Sequence, residues 1–264
     1  MITLHHLEAS RSFRIIWLLE ELELTYQIER HERHPETMRA QDSLKAIHPL
    51  GKAPVLIDNG FTLIESGAII EYLLNRYDTR ALRPPICSED YLRYSQWMHF
   101  AEGSLMPPGL LTLVLNKMAN ARVPFFARSI VKKTVNTTLE SFVMPDLNTK
   151  LDYIDSELGN TGWFCGSNFS AADIQMGFAL QALHGRGLIG DNLHNIKAFL
   201  EAIRLRPAHQ RAKEKAGLLS LSLPSKADEP VPAKASASAA APVSSDATAS
   251  ESSATSSQDD LPRS

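Results

Sequence analysis

Three short segments within the first 80 residues carry side chains with the means to do chemistry. Leu7-Glu8-Ala9-Ser10-Arg11-Ser12-Phe13-Arg14 places two serines and two arginines just ahead of an apolar helical pattern. A helix N-terminus leaves its first N–H groups unpaired and carries partial positive charge, so it favours an anion. Ser10 or Ser12 can cap such a helix, and a serine hydroxyl can also donate to a thiolate. In His48-Pro49-Leu50-Gly51-Lys52-Ala53-Pro54-Val55-Leu56, Pro54 opens an apolar strand, a position where a missing N–H is tolerated. A cis bond at Ala53-Pro54 would turn the Ala53 backbone outward to an extended peptide, although only ~5–6% of X-Pro bonds are cis. Lys52 can hold a carboxylate as a point charge. In Leu63-Ile64-Glu65-Ser66-Gly67-Ala68-Ile69-Ile70, the Ser66 hydroxyl and neighbouring N–H groups can cradle a carboxylate, while Glu65 can pair with an ammonium. Taken singly, the plainer reading prevails for each segment: a helix cap at Ser10 or Ser12, a solvated Lys52, a helix cap at Ser66.

The elements that must position these residues follow from periodicity. Ile2-Thr3-Leu4 and Tyr26-Gln27-Ile28-Glu29 read as short strands. Ile15, Leu18, Leu19 and Leu22 lie on one helical face, which Phe13, Ile16 and Trp17 widen until the helix should be largely buried. Pro54-Val55-Leu56-Ile57 and Phe61-Thr62-Leu63-Ile64 flank Asp58-Asn59-Gly60, a strong hairpin signal. Ile69, Ile70, Leu73 and Leu74 stripe a further helix. The order is strand, helix, strand, short irregular segment, hairpin, helix, the layout of an α/β thioredoxin-like domain over residues 1–80. Pro84-Pro85 marks a linker at 81–87, and residues 88–217 read as an all-α bundle. There Tyr91, Tyr94, Met98, Ala101 and Leu105 step at helical spacing, as do Leu147, Leu151, Ile154 and Leu158. Ser170-Ala171-Ala172-Asp173, between Phe169 and Ile174, has the form of a capping box with a hydrophobic staple. Phe125 and Phe126 are expected to pack into the core, with Lys132 and Lys133 on a solvated face.

Composition narrows the function classes. The 264 residues carry a net charge of −3, unlike the basic domain of a dedicated nucleic-acid binder. No apolar run approaches a membrane span, and the first eight residues lack the basic start and apolar stretch of a secretory signal. Two cysteines, Cys87 and Cys165, make no disulfide scaffold, so a cytoplasmic protein with reduced thiols is expected. Residues 222–264 hold 12 Ser, 10 Ala and 5 Pro, too few apolar groups to offset ordering entropy, and read as a disordered tail. Its three basic and six acidic side chains, removed from totals of 27 and 30, leave 24 of each sign in the body.

In their order and spacing the three segments together resemble the glutathione S-transferase family. The likeness spans Ser10 to Leu22, the strand-opening proline motif Pro49-Leu50-Gly51-Lys52-Ala53-Pro54-Val55-Leu56 and the pair Glu65-Ser66. In the helical half, Trp163-Phe164-Cys165-Gly166 followed by Phe169-Ser170-Ala171-Ala172-Asp173-Ile174 is similar to the family's capping-box motif. It covers roughly residues 1–217. His48-Pro49-Leu50-Gly51-Lys52, Glu102-Gly103-Ser104-Leu105-Met106-Pro107-Pro108 and Arg206-Pro207-Ala208 look most like the bacterial and fungal-type branch, with a serine-type N-terminal motif.

The resemblance implies a glutathione S-transferase that activates the glutathione thiol as thiolate for conjugation to hydrophobic electrophiles. Glu65 and Ser66 would take the γ-glutamyl end, the Ala53 backbone beside a cis Pro54 the cysteinyl part, and Lys52 the glycyl carboxylate. Ser10 matches the catalytic serine, with Arg11, Ser12 or backbone N–H groups as alternatives. Leu7, Met106, Leu110 and Leu111 are candidates for the electrophile pocket, with packing inside the bundle as the plainer role of each. Glu102 would reach the glutathione amine of a partner subunit or stand as a solvated helix residue. Asp173 has a folding role, and neither cysteine is placed to be a catalytic thiol. Glutathione is a co-substrate, with no cofactor and no metal, and a homodimer is implied. A glutathione-dependent peroxidase or disulfide reductase, or a non-enzymatic interaction module on the same fold, are the competing functions.

Overall fold

The computed structural model describes residues 1–34, 37, 40 and 42–217. The Ala/Ser/Pro-rich segment 222–264 lies outside the described residues.

The N-terminal half is a four-stranded sheet in the order β2-β1-β3-β4. β1 (Ile2–Leu7) runs parallel to β2 (Tyr26–His31), with Ile2 opposite Tyr26 and Leu7 opposite His31. Pairing over this whole register extends both strands beyond the apolar cores visible in the sequence. α1 (Ser12–Glu21) makes the crossover between them. β3 (Val55–Asp58) and β4 (Phe61–Ile64) form the expected hairpin. Asn59 and Gly60 both adopt positive φ, 49° and 86°, the requirement of a two-residue type I′ turn. Between β2 and β3 the chain forms a helix, α2 (Asp42–Ile47), where the sequence suggested only an irregular segment. Leu44 is fully buried and anchors that helix, so a tertiary contact supplies what a six-residue pattern cannot signal. α3 (Ser66–Tyr77) follows β4 and buries Ile69, Ile70, Leu73 and Leu74.

α1 is buried on nearly every side, from Ser12 through Glu20. It packs against β1 and α3 on one side and against helices of the second half on the other. This position accounts for its wide apolar face.

The second half is helical. α4 (Glu89–Phe100) is capped by Ser88, whose Oγ accepts from Tyr91 N at 3.1 Å. It continues through a π-helical turn, Ala101–Leu105, into α5 (Met106–Ala119). α6 (Phe125–Thr138) likewise passes through a π-helical turn, Leu139–Val143, into α7 (Met144–Thr161). Both wide turns directly precede a Met-Pro pair, Met106-Pro107 and Met144-Pro145. Proline lacks the N–H an α-helix needs and clashes with the carbonyl four residues back, which the wider turn relieves. α8 (Ala171–His184), α9 (His194–Arg204) and α10 (Pro207–Ala216) complete the described chain.

Leu147, Leu151, Ile154 and Leu158 are buried as their spacing predicts. Phe125 and Phe126 are not in the core: they are 83% and 70% exposed. α6 packs chiefly against α5 and the second π-turn, and of its residues only Val135 is buried, so its first turn projects past the bundle. No helix among the described residues is long and apolar enough to cross a membrane.

Candidate functional site

The loop from β1 to α1 is held open. Ala9 adopts a φ of 49°, a left-handed conformation rare outside glycine. Arg33 fixes it by donating to the carbonyls of Glu8 at 2.9 and 3.0 Å and of Ala9 at 3.0 Å. α1 begins at Ser12 with Arg11 in the cap position, and the Arg11 side chain makes no capping bond. The Ser10 hydroxyl does that work, accepting from Ser12 N at 3.2 Å.

Behind Ser10 lies a chain of short hydrogen bonds. Ser10 Oγ is 2.7 Å from Ser12 Oγ, and Ser12 Oγ is 2.7 Å from His6 Nδ1. The other ring nitrogen, His6 Nε2, is 3.1 Å from the carbonyl of Ala216 on α10. A carbonyl only accepts, so Nε2 carries a hydrogen and donates to it. Burial, with Arg30 and His31 adding to it, pushes His6 down to about 4, so the imidazole is neutral and Nδ1 is an acceptor. The directions follow: Ser12 donates to His6, and Ser10 donates to Ser12.

A second cluster joins the two halves. Arg11 grips Glu102 with both prongs, Nε at 2.8 Å and Nη2 at 2.7 Å. Arg14 Nη1 donates to the same carboxylate and, at 3.1 Å, to Ser66 Oγ. Arg14 is fully buried, which pushes it down to about 10 and leaves it charged at neutral pH. Its guanidinium lies 4.7 Å from the Phe178 ring centroid, and Nε and Nη2 find no acceptor among the described residues. Burial opposes ionisation of Glu102, but the Arg11 hydrogen bond and the Arg14 charge outweigh it and hold the carboxyl down to about 2. Glu102 sits on the first π-turn, so a helical irregularity presents the carboxylate to α1.

The first and third sequence segments thus meet through Arg14 and Ser66. Glu65 precedes α3 with φ 69° and ψ 116°, a strained conformation that costs of order 1–3 kcal/mol, with its side chain exposed. Ser66 is buried. The Ala53-Pro54 peptide is cis, Pro54 is buried, and Lys52 is exposed beside it. Of the apolar candidates, Leu7 and Met106 are buried while Leu110 and Leu111 are 56% and 43% exposed. Glu102 is half-buried and is held by its own chain's arginines. Burial pushes the Cys165 thiol up to about 12, and Cys87 is exposed in the linker. A cavity of about 490 Å³ lies elsewhere, lined by Arg80, Arg83, Cys165, Phe169 and Arg206, and includes none of these site residues. Sequence reasoning missed His6, Arg14 and Arg33. Arg14 alone left a signal, a charge inside a wide apolar helix face.

The comparisons agree with this geometry. Residues 1–75 match the family description "Glutathione S-transferase, N-terminal domain", and residues 118–207 match "Glutathione S-transferase, C-terminal domain". Glutathione S-transferase 3 of Schizosaccharomyces pombe is 38% identical over 84% of this chain and 91% of its own length. Glutathione S-transferase 1 of Saccharomyces cerevisiae is 30% identical over 83% of this chain and 97% of its own. The crystal structure of a glutathione S-transferase from Actinobacillus pleuropneumoniae superposes with a TM-score of 0.68 at 33% identity, covering 84% of this chain and 96% of that one. Two matched domains and relatives alike along most of both chains leave one assignment: the chain belongs to the glutathione S-transferase family of enzymes.

Proposed function

We propose that the protein binds glutathione on its thioredoxin-like half and holds the thiol as thiolate for addition to hydrophobic electrophiles. The observation that carries this reading is the Ser10 hydroxyl at the N-terminus of α1, where it accepts Ser12 N. Its single hydrogen, directed to Ser12 Oγ in the free protein, turns to the thiolate when glutathione binds. A free thiol titrates near ~8.5, so a drop of about two units requires roughly 2.7 kcal/mol. A hydrogen bond to a charged group contributes ~1.5–3 kcal/mol and a helix N-terminus ~0.3–1, so the two together suffice. Arg11 is the alternative stabiliser, but its bidentate bond to Glu102 offsets its charge, which favours Ser10. Ser66, with Glu65 beside it, takes the γ-glutamyl end, Ala53 the cysteinyl backbone and Lys52 the glycyl carboxylate. The exposed Leu110 and Leu111 of α5 meet the electrophile, while Leu7 and Met106 support that surface from below. The nucleophile is the substrate's own sulfur, so no cofactor is needed. A cytoplasmic homodimer completes the proposal, on the family's general pattern.

The test is retention on immobilised glutathione and conjugation of 1-chloro-2,4-dinitrobenzene, run beside reduction of cumene hydroperoxide. Ser10→Ala should lower kcat for conjugation about 10- to 100-fold, the equivalent of the lost hydrogen bond, with glutathione binding held within about threefold. Unchanged turnover would remove Ser10 from the mechanism. Faster hydroperoxide reduction than conjugation would replace the transferase reading with a peroxidase, and no binding at millimolar glutathione would leave a non-enzymatic module.

A further inference from the structure

We infer that Arg186 receives an acidic group of the electrophile, so that the second substrate this site favours carries a carboxylate on its apolar body. The inference rests on the proposed placement of the electrophile on Leu110 and Leu111. An arginine left without a counter-ion beside that surface carries it. Arg186 follows α8 in a turn with Gly187 at a φ of 69°. Gly187 N donates to the His184 carbonyl at 2.9 Å, and Leu188 N to the Leu183 carbonyl at 3.1 Å. This is the Schellman pattern, which fixes the backbone from which the side chain leaves. The side chain lies against the first turns of α5. A Cβ placed on Gly109 would stand 4.0 Å from Arg186 Nη1 and only 2.7 Å from Leu183 Cδ2. The lack of a side chain at Gly109 therefore lets the end of α8 approach this closely. Leu110 and Leu111 are the next two residues of α5, so the guanidinium stands at the edge of the proposed electrophile surface.

The charge at this place is unbalanced. Among the described residues Arg186 makes no hydrogen bond and no ion pair, and its Nε is buried without an acceptor. Burial, and after it the charge of Arg11, lower its pKa, yet a guanidinium stays protonated at neutral pH. Arg11 is held by Glu102, which Arg14 shares, so three arginines gather around one half-buried carboxylate. Glu65 also acts on Arg11, but in the proposed complex it pairs with the ammonium of glutathione. Arg14 donates to Ser66 and so faces the γ-glutamyl end. Arg186 is thus the cation left for the second substrate. The macrodipole of α8 would by itself favour a cation at this end, but it would not draw the side chain over Gly109 and enclose Nε. A partly desolvated cation without a partner is unfavourable, and a carboxylate relieves it. The planar fork of arginine can meet a carboxylate with two parallel hydrogen bonds.

The experiment compares two electrophiles that differ in one charge. In 4-chloro-3,5-dinitrobenzoate and in its methyl ester, the glutathione thiolate displaces chloride from the same ring carbon. Conjugation of each is measured with the full chain, and kcat/KM is divided by the uncatalysed rate constant with glutathione. On that scale the unmodified protein should favour the acid over the ester by about tenfold or more, the effect of one hydrogen-bonded charge pair. Arg186→Met should lower this acid-to-ester ratio by about tenfold or more, with KM for glutathione within about twofold. A general defect in folding would lower both substrates alike and leave the ratio in place. Three results would each overturn the role of Arg186 and leave transferase function standing. These are no preference for the acid in the unmodified protein, a ratio kept within about twofold in Arg186→Met, and a loss in that variant that falls on KM for glutathione instead. If the unmodified protein conjugates neither compound and leaves 1-chloro-2,4-dinitrobenzene untouched, the functional reading itself fails, and this inference with it.

Discussion

At the scale of the residue, the site shows how a charge is tolerated where solvent is absent. Arg14 is fully buried, and Glu102 is its one ionic partner among the described residues. Removing one member of such a pair costs more than replacing the charge by an apolar group, because the survivor stays desolvated. Glu102→Gln should therefore destabilise the fold by about 2–3 kcal/mol, discounted from the fully buried case because Glu102 is 36% exposed. Arg14→Met, which removes the buried charge and leaves Glu102 bound to Arg11, should cost less. Urea unfolding of both variants checks the order, and a larger loss in Arg14→Met would refute this account. The wide apolar face of α1 was legible in the sequence, and so was the presence of an arginine within it. Its partner, 88 residues away, was not.

Among the elements, α8 shows a local motif whose consequence is long-range. Asp173 Oδ2 accepts from Ser170 N at 2.7 Å and from Ser170 Oγ at 2.9 Å, so an aspartate fills the third helical position where glutamate is usual. Its other oxygen accepts from Phe164 N at 2.9 Å, tying the preceding turn to the helix start. Burial pushes this carboxyl up to about 6 despite those donors. Asp173→Ala should cost about 2–4 kcal/mol, the sum of a lost cap and buried N–H groups left unpaired. The fall in thermal midpoint measures it, with catalysis per folded molecule unchanged. The capping box could be read from four residues. The two π-helical turns could not, because the stepping of Tyr94, Met98, Ala101 and Leu105 looks like uninterrupted helix. Only the proline after each turn hints at the change. The exposed Phe125 and Phe126 mark a similar boundary: periodicity states that a face is apolar, not that another element covers it.

For the whole molecule, the joint between halves sets the pH range of stability. Two buried histidines, His6 and His209, are each pushed down to about 4, chiefly by burial. His6 reaches α10 through Ala216, and His209 lies on α10 with its ring 4.7 Å from that of Trp17 on α1. Each has a lower pKa folded than unfolded, where it sits near ~6.5, so the unfolded chain binds the extra protons. Stability should fall as pH drops from about 6.5 toward 4, by up to about 3 kcal/mol for each histidine, with the buried Asp173 carboxyl, pushed up to about 6, opposing the fall by about one histidine's share. Glu102, held down to about 2, adds a loss only below its ordinary range near 4.5. Denaturant midpoints from pH 8 to 4 test this, and a flat profile between about 6.5 and 4 would contradict it.

The sequence by itself determined the two-domain plan, the hairpin, the buried first helix and the three segments from which the candidate site is built. Each of these depends on residues near one another in the chain, where periodicity and turn chemistry act. Only the tertiary structure decided that Ser10 donates inward rather than outward, because that direction is set by His6 and, behind it, by a carbonyl 210 residues away. It likewise decided that Glu102 is spent on two arginines, since the contact exists only once the helical half is packed on α1. Hydrogen-bond direction and charge pairing are properties of atoms brought together from distant parts of the chain, and no local spacing encodes them.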